Sequence, residues 1–126
     1  MRLNQVTAPA LDLDLSIAFY QFLGLKLIVK SAHYARFELP EGEATFSLHL
    51  TEGEVARAQA PQIYFECVDV EAEVTRLMQA GVAFEHAPRM QDWLWCEAWL
   101  RDPAGNHICL YHAGENRTHP PWRLGD

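Results

Sequence analysis

Three of the chain's four tryptophans, Trp93, Trp95 and Trp99, fall at alternate positions of one short stretch, with Glu97 between them. Successive side chains of a strand point to opposite faces, so in a strand these four residues share a side. Indole rings around a carboxylate stack on planar molecules and attract cations. The same rings also suit a core or a subunit interface. Two neighbouring runs supply further groups by the same alternation: Gln62, Tyr64 and Glu66 in one, His107, Cys109 and Tyr111 in the other. Glu97 and Glu66 are the carboxylates of this set, and either can act as a general base or stand as a polar residue on an open sheet face. Glycine-rich phosphate loops, nucleophile elbows and HExxH patterns are missing from the sequence.

The elements that must carry these residues come in two copies. The segment from Gln5 lies over the segment from Gln62 without a gap: Asp12-Leu13-Asp14 meets Asp69-Val70-Glu71, Ile17 meets Val74, Tyr20 meets Leu77 and Gly24-Leu25 meets Gly81-Val82. Further on, Pro40-Glu41-Gly42 has a counterpart in Pro103-Ala104-Gly105. Such register reads as one module written twice. Each module starts with a short strand, Gln5–Ala8 or Gln62–Cys67. A helix follows, capped by Asp12 or Asp14 in the first copy and by Asp69 in the second. Leu13, Ile17, Tyr20 and Leu23, then Val70, Val74, Leu77 and Met78, form the apolar stripes. Gly24 and Gly81 stand where a left-handed residue ends each helix. Three strand-like runs come next: 25–30, 34–39 and 45–50 in the first module, 82–86, 94–101 and 107–112 in the second. The Pro-x-Gly pairs make the last hairpin turn of each.

One helix covers one face of a small sheet, and the other faces of the two copies are expected to line a shared hollow. Ile108 and Leu110, Phe46 and Leu48, and Ile63 and Phe65 take the helix sides. That leaves Gln5, Thr7, Thr45, Ser47 and His49 of the first module on the inner side. Seventeen acidic against ten basic residues give a net charge of −7, which disfavours nucleic acid and anionic membranes as partners. No apolar run approaches the roughly 18 residues of a membrane span, and Met1–Gln5 is unlike the start of a signal peptide. The three cysteines, Cys67, Cys96 and Cys109, are odd in number and widely spaced. Reduced thiols in the cytoplasm fit that pattern better than a disulfide framework.

Asp12 to Leu25, read as Asp-Leu-Asp-x-Ser-Ile-Ala-Phe-Tyr-x-x-Leu-Gly-Leu, and the Arg-Asp-Pro-x-Gly-Asn of Arg101 to Asn106 resemble the vicinal oxygen chelate superfamily. That group holds glyoxalase I, extradiol dioxygenases, and fosfomycin- and bleomycin-resistance proteins. The resemblance implies an α+β fold of two βαβββ modules, with curved mixed sheets around a half-barrel cavity and helices outside. Its metal-dependent members take one ligand from the first and one from the last strand of each module. The matching positions are Gln5, Ser47, Gln62 and Cys109, with His49 one inward position beyond Ser47. Amides, a hydroxyl and a thiol stand there where histidines and carboxylates are usual.

Gln91-Asp92-Trp93, Cys96-Glu97-Ala98-Trp99 and Arg101-Asp102-Pro103 narrow the resemblance to the bleomycin-resistance branch, as does Pro9. This branch implies a homodimer binding a cationic ligand without metal in the barrel. The expected protein is therefore a cytoplasmic homodimer with modules at 1–58 and 59–114 and a polar tail at 115–126. It takes a small planar or cationic molecule on Trp93, Trp95, Glu97, Trp99, Tyr64 and Tyr111, with no cofactor. The alternative is a metal-dependent lyase, isomerase or dioxygenase using Gln5, Gln62, Cys109 and His49.

Overall fold

The structure, a computed structural model, describes residues 3–53 and 60–125. The first copy forms β1 (Gln5–Ala10), α1 (Leu13–Phe22), β2 (Lys26–Lys30), β3 (Tyr34–Glu38) and β4 (Thr45–Leu50). The second forms β5 (Ile63–Glu66), α2 (Val70–Gln79), β6 (Arg89–Met90), β7 (Cys96–Arg101) and β8 (His107–His112). Each copy makes its own open four-stranded sheet, ordered β1-β4-β3-β2 and β5-β8-β7-β6. In both, the first strand runs parallel to the last, β1 beside β4 and β5 beside β8. The α+β class and the repeated βαβββ order are as the sequence implies. The expected boundary at residues 58/59 lies outside the described residues.

Local chemistry explains the element ends. Asp12 accepts a hydrogen bond from the Leu15 amide at 3.1 Å, and Asp69 from the Ala72 amide at 3.0 Å. Each carboxylate thus satisfies an orphan donor of its helix and complements the helix dipole. Gly24 and Gly81 leave the helices at φ +101° and +93°, where a side chain would be strained. The stripes differ in detail from the periodicity. Met78 is 59% exposed, because it lies beside rather than on the line through Val70, Val74 and Leu77. Ser16 is fully buried on α1, small enough to let the helix approach its sheet.

The second module departs further. The run Val82–His86, expected as a strand, contributes only the Glu85 amide, bonded to the Trp99 carbonyl. Pairing resumes as the two-residue β6, after Pro88, which has no amide to donate. The strand expected from Leu94 starts at Cys96. Gln91 and Trp95 instead close a tight turn through Gln91 N–H to Trp95 O (2.9 Å) and Leu94 N–H to Gln91 O (3.0 Å). That turn holds Leu94 at φ +66°, an uncommon backbone state for a branched side chain. Beyond β8, Gly114–Arg117 forms a 3-10 turn that opens the tail.

By contact, Met1–Pro61 and Arg101–Asn106 make one compact unit, and Gln62–Leu100 and His107–Asp126 make another. In the first, α1 packs Tyr20 on Phe46 and Phe37, at 4.5 and 5.9 Å between ring centroids. The Tyr20 hydroxyl donates to Asp102 Oδ2 at 2.7 Å. Asp102 also accepts from the amides of Ala104 and Asn106 and from Asn106 Nδ2, which in addition donates to the Pro9 carbonyl. Burial and the Asp102 charge push the Tyr20 phenol far above its ordinary range. In the second unit, Val70, Val74 and Ala98 pack with Cys67, Phe84 and Cys96 under α2. On the opposite side of the sheet Cys109, Tyr111 and Ala113 pack with Trp95 and Trp99.

Asp102→Ala orphans two buried side-chain donors and two amides, so urea unfolding should show a loss of at least about 3 kcal/mol. Tyr20→Phe leaves Asp102 its other three donors and should cost only about 1–2 kcal/mol in the same measurement. Equal losses would place the stabilisation in the Tyr20–Asp102 bond alone and not in the convergence of the other three donors.

Candidate functional site

Alternation along β5, β7 and β8 decides which residues meet on the open face of the second sheet. The register pairs Tyr64 with Cys109 and Glu66 with Tyr111, so these side chains share a side, opposite Ile108 and Leu110. On β7 the helix takes Ala98 and Cys96, which turns Glu97 and Trp99 the other way. Trp95 joins them from the end of the turn, stacked on Tyr111 at 4.6 Å and 16°. Tyr64 meets Trp95, Trp99 and Tyr111 edge-on at 5.9, 5.4 and 5.7 Å. Edge-to-face pairs of this kind add attraction beyond buried area.

Glu97 organises the cluster. It is only 3% exposed, and both its oxygens accept indole N–H bonds: Oε2 from Trp93 at 2.7 Å and Oε1 from Trp99 at 2.9 Å. The tight turn before β7 brings Trp93 back onto a residue four positions later. As a general base, Glu97 would have to give up one of these bonds. As an orienting group it fixes two indoles and leaves its negative charge at their N–H edges. That charge acts on its neighbours. Burial raises the Tyr64 phenol, and the Cys109 and Glu97 charges add to the effect. The Cys109 thiol is pushed up to about 12, first by burial and then by Glu97. Tyr111 is raised by burial and by Glu66. Trp93 and Tyr64 remain about half exposed, so the cluster meets solvent with aromatic surface. All six residues singled out for ligand contact thus lie together. Gln62 sits at the margin, accepting weakly from the Tyr64 hydroxyl at 3.4 Å, and Glu66 is exposed. His107 lies against Trp99, 4.1 Å between ring centroids, with Nε2 3.2 Å from Glu85 Oε2.

The residues placed by resemblance at metal-ligand positions have other partners. Gln5 Oε1 accepts from the Thr45 hydroxyl at 2.8 Å. The Ser47 hydroxyl is bonded to the Tyr34 hydroxyl at 2.7 Å. His49 is exposed, in register with Pro9 and Tyr34. Cys109 is fully buried, and burial and then Glu97 raise its thiol. Among the described residues no group of three His, Cys, Asp or Glu side chains is placed to hold a metal ion. Two amides and a hydroxyl supply no charge, and no carboxylate stands among these positions, so this donor set does not fit a divalent cation.

One cluster was not singled out in the sequence. On β3, Arg36 Nε donates to the Tyr34 hydroxyl at 2.9 Å, and the same hydroxyl is bonded to Ser47 on β4. The bond to Ser47 is the largest cause lowering the Tyr34 phenol from its ordinary value; burial opposes it, and the Arg36 donor and charge, then Gln5, add to the lowering. The alternation Tyr-Ala-Arg-Phe-Glu at 34–38 was the available signal, since Ala35 and Phe37 face the helix.

The sequence profile described as the Glyoxalase/Bleomycin resistance protein/Dioxygenase superfamily matches residues 2–110. The fold is similar to that of a glyoxalase/bleomycin resistance protein/dioxygenase from Nocardioides, with a TM-score of 0.79 at 18% identity over 99% of this chain and 90% of that one. It is similar to a bleomycin-binding protein complexed with bleomycin, with a TM-score of 0.73 at 21% identity over 89% and 98%. It also resembles lactoylglutathione lyase from Agrobacterium tumefaciens, with a TM-score of 0.72 at 20% identity over 88% and 92%. None of the curated proteins matches the chain significantly. Likeness at these identities concerns the fold alone.

Two titrations check the electrostatics. Tyr34 is the one tyrosine of four held below its ordinary value, with Tyr20, Tyr64 and Tyr111 held above it. As pH rises, the first phenolate absorbance step should therefore belong to Tyr34 and vanish in Tyr34→Phe. If the first step survives that substitution, the Ser47–Tyr34–Arg36 account fails. A thiol raised from 9.0 to about 12 holds roughly a thousand-fold less thiolate near pH 8. Cys109 should accordingly resist a disulfide reagent until the chain unfolds, and fast labelling of Cys109 in folded protein would contradict its placement.

Proposed function

The chain belongs to the Glyoxalase/Bleomycin resistance protein/Dioxygenase superfamily, and we propose that this member binds a planar, cationic small molecule on the aromatic face of its second sheet. The observation that carries the reading is Glu97, a buried carboxylate whose two oxygens hold the indoles of Trp93 and Trp99. A carboxylate accepting an indole N–H sits at the ring edge and makes the ring more electron-rich, which strengthens a face that already attracts cations. Tyr64, Trp95 and Tyr111 extend the surface, and their mutual packing leaves little rotamer entropy to lose on binding. The net charge of −7 favours approach of a cation at low salt.

The reading needs no cofactor. A metal-dependent lyase, isomerase or dioxygenase would need Gln5, Gln62, Cys109 and His49 as ligands, and their chemistry weighs against it. A homodimer is part of the proposal. It is supported by β1 and β5 standing at sheet edges, from which another chain can extend a sheet. The cytoplasm is its proposed setting, supported by three free cysteines.

The test is a fluorescence titration with a planar aromatic cation and a neutral analogue of the same size. Because Trp122 lies in the tail, the experiment uses Trp122→Phe protein. Saturable quenching by the cation is expected, tighter than by the analogue by about 0.5–2 kcal/mol, a few-fold to roughly thirty-fold. Trp95→Ala should weaken it by a similar amount. Sedimentation of the same samples should give twice the 14.4 kDa chain mass. Equal affinity for cation and analogue, or none for either, would sink the binding proposal.

A further inference from the structure

The first sheet has an open face of its own, and its chemistry is the opposite of the aromatic one. The strand register places Arg36 beside Ser47 and Thr7 in one cross-strand row, and Tyr34 beside His49 and Pro9 in the next. Arg36 is half-buried and already oriented. Its Nε–H is held by the Tyr34 hydroxyl, itself held by Ser47, and its guanidinium carbon lies 5.4 Å from the Tyr34 ring centroid. Among the described residues its two terminal NH2 groups have no protein acceptor, and no carboxylate pairs with the guanidinium. The carboxylate that strands β1–β4 place on this face, Glu38, lies two residues further along β3, opposite Lys26.

A guanidinium bound through Nε presents its other edge as a two-pronged fork, the geometry that matches two oxygens of one oxyanion. Most arginines on a sheet are free to rotate, and they lose that freedom on binding. Here Tyr34 and Ser47 hold the side chain in advance, so less is lost. A chain of net charge −7 repels anions in general, which makes a fixed cation without a carboxylate partner the more pointed.

We propose that the open face of the first sheet carries a site for an oxyanion group, a carboxylate or a phosphate, received by the Arg36 fork with Tyr34 and Ser47 as positioning residues. The proposal does not rest on the reading of the aromatic face.

The test follows the Arg36 Nε–H signal in nitrogen-15 NMR spectra of the whole chain. Acetate and inorganic phosphate are added separately at constant ionic strength, with chloride as the control. A saturable shift is expected, with a Kd of about 1 mM or tighter. The salt that saturates identifies the source, a carboxylate or a phosphate. Acetate, having no ring, leaves the aromatic face out of the readout. Neighbouring amides of β3 and β4 should report the same affinity, and Arg36→Gln should abolish it. Should Arg36→Gln not fold, Tyr34→Phe keeps the ring and frees Nε, and should weaken binding three- to ten-fold. The proposal is overturned if neither anion saturates by about 20 mM, if chloride gives the same shift, or if whichever of these variants folds binds as tightly as the parent chain.

Discussion

The buried carboxylate of Asp102 is the constraint on which much of this structure depends. Among the described residues no cation pairs with it, and its charge is held by four converging donors. Those donors fix the turn Arg101–Asn106 internally and hold it to α1 through Tyr20, while Asn106 reaches β1 through the Pro9 carbonyl. The turn joins β7 to β8, and a hairpin's turn sets its register. A one-residue slip would send Glu97 and Trp99 to the helix side and Ala98 to the open side. The aromatic cluster is thus specified in part by a carboxylate that never touches it.

Glu97 uses the same physics to a different end. Both carboxylates are buried, held by neutral donors and, among the described residues, without an ion pair. At Asp102 the donors are backbone amides, an amide side chain and a phenol, which close a turn. At Glu97 they are two indoles, and the negative charge sits at their N–H edges within the aromatic cluster. A buried carboxylate is an expensive way to orient two rings, since an apolar residue would pack more cheaply.

The two sheets share a topology and differ in what their open faces offer. The first presents an oriented guanidinium among hydroxyls, the second a negatively charged aromatic surface. Fold similarity to a bleomycin-binding protein and to a lactoylglutathione lyase spans binding and catalysis, so chemistry has to be read from side chains. Here the side chains argue for recognition. Gln5, Ser47, Gln62 and Cys109, the positions to which the sequence resemblance assigns metal ligands, bring no carboxylate, and Gln5, Ser47 and Gln62 are already hydrogen-bonded locally.

The repeat, the caps at Asp12 and Asp69, the two left-handed glycines and the facing of Trp95, Glu97, Trp99, Tyr64 and Tyr111 were legible in the sequence. Each follows from local rules: side-chain reach at a helix end, backbone freedom at glycine, and the two-residue period of a strand. The shortened β6, the turn at Gln91–Trp95 and the burial of Ser16 were not, because propensity and period are blind to where a ladder stops or how closely a helix is drawn in. The partners of Glu97 and Asp102, and the Tyr34–Arg36–Ser47 chain, were likewise decided only by the tertiary structure. Alternation names the face on which a polar side chain lies, but hydrogen bonds are made over about 3 Å, and only folding brings donors from separate strands and turns within that range.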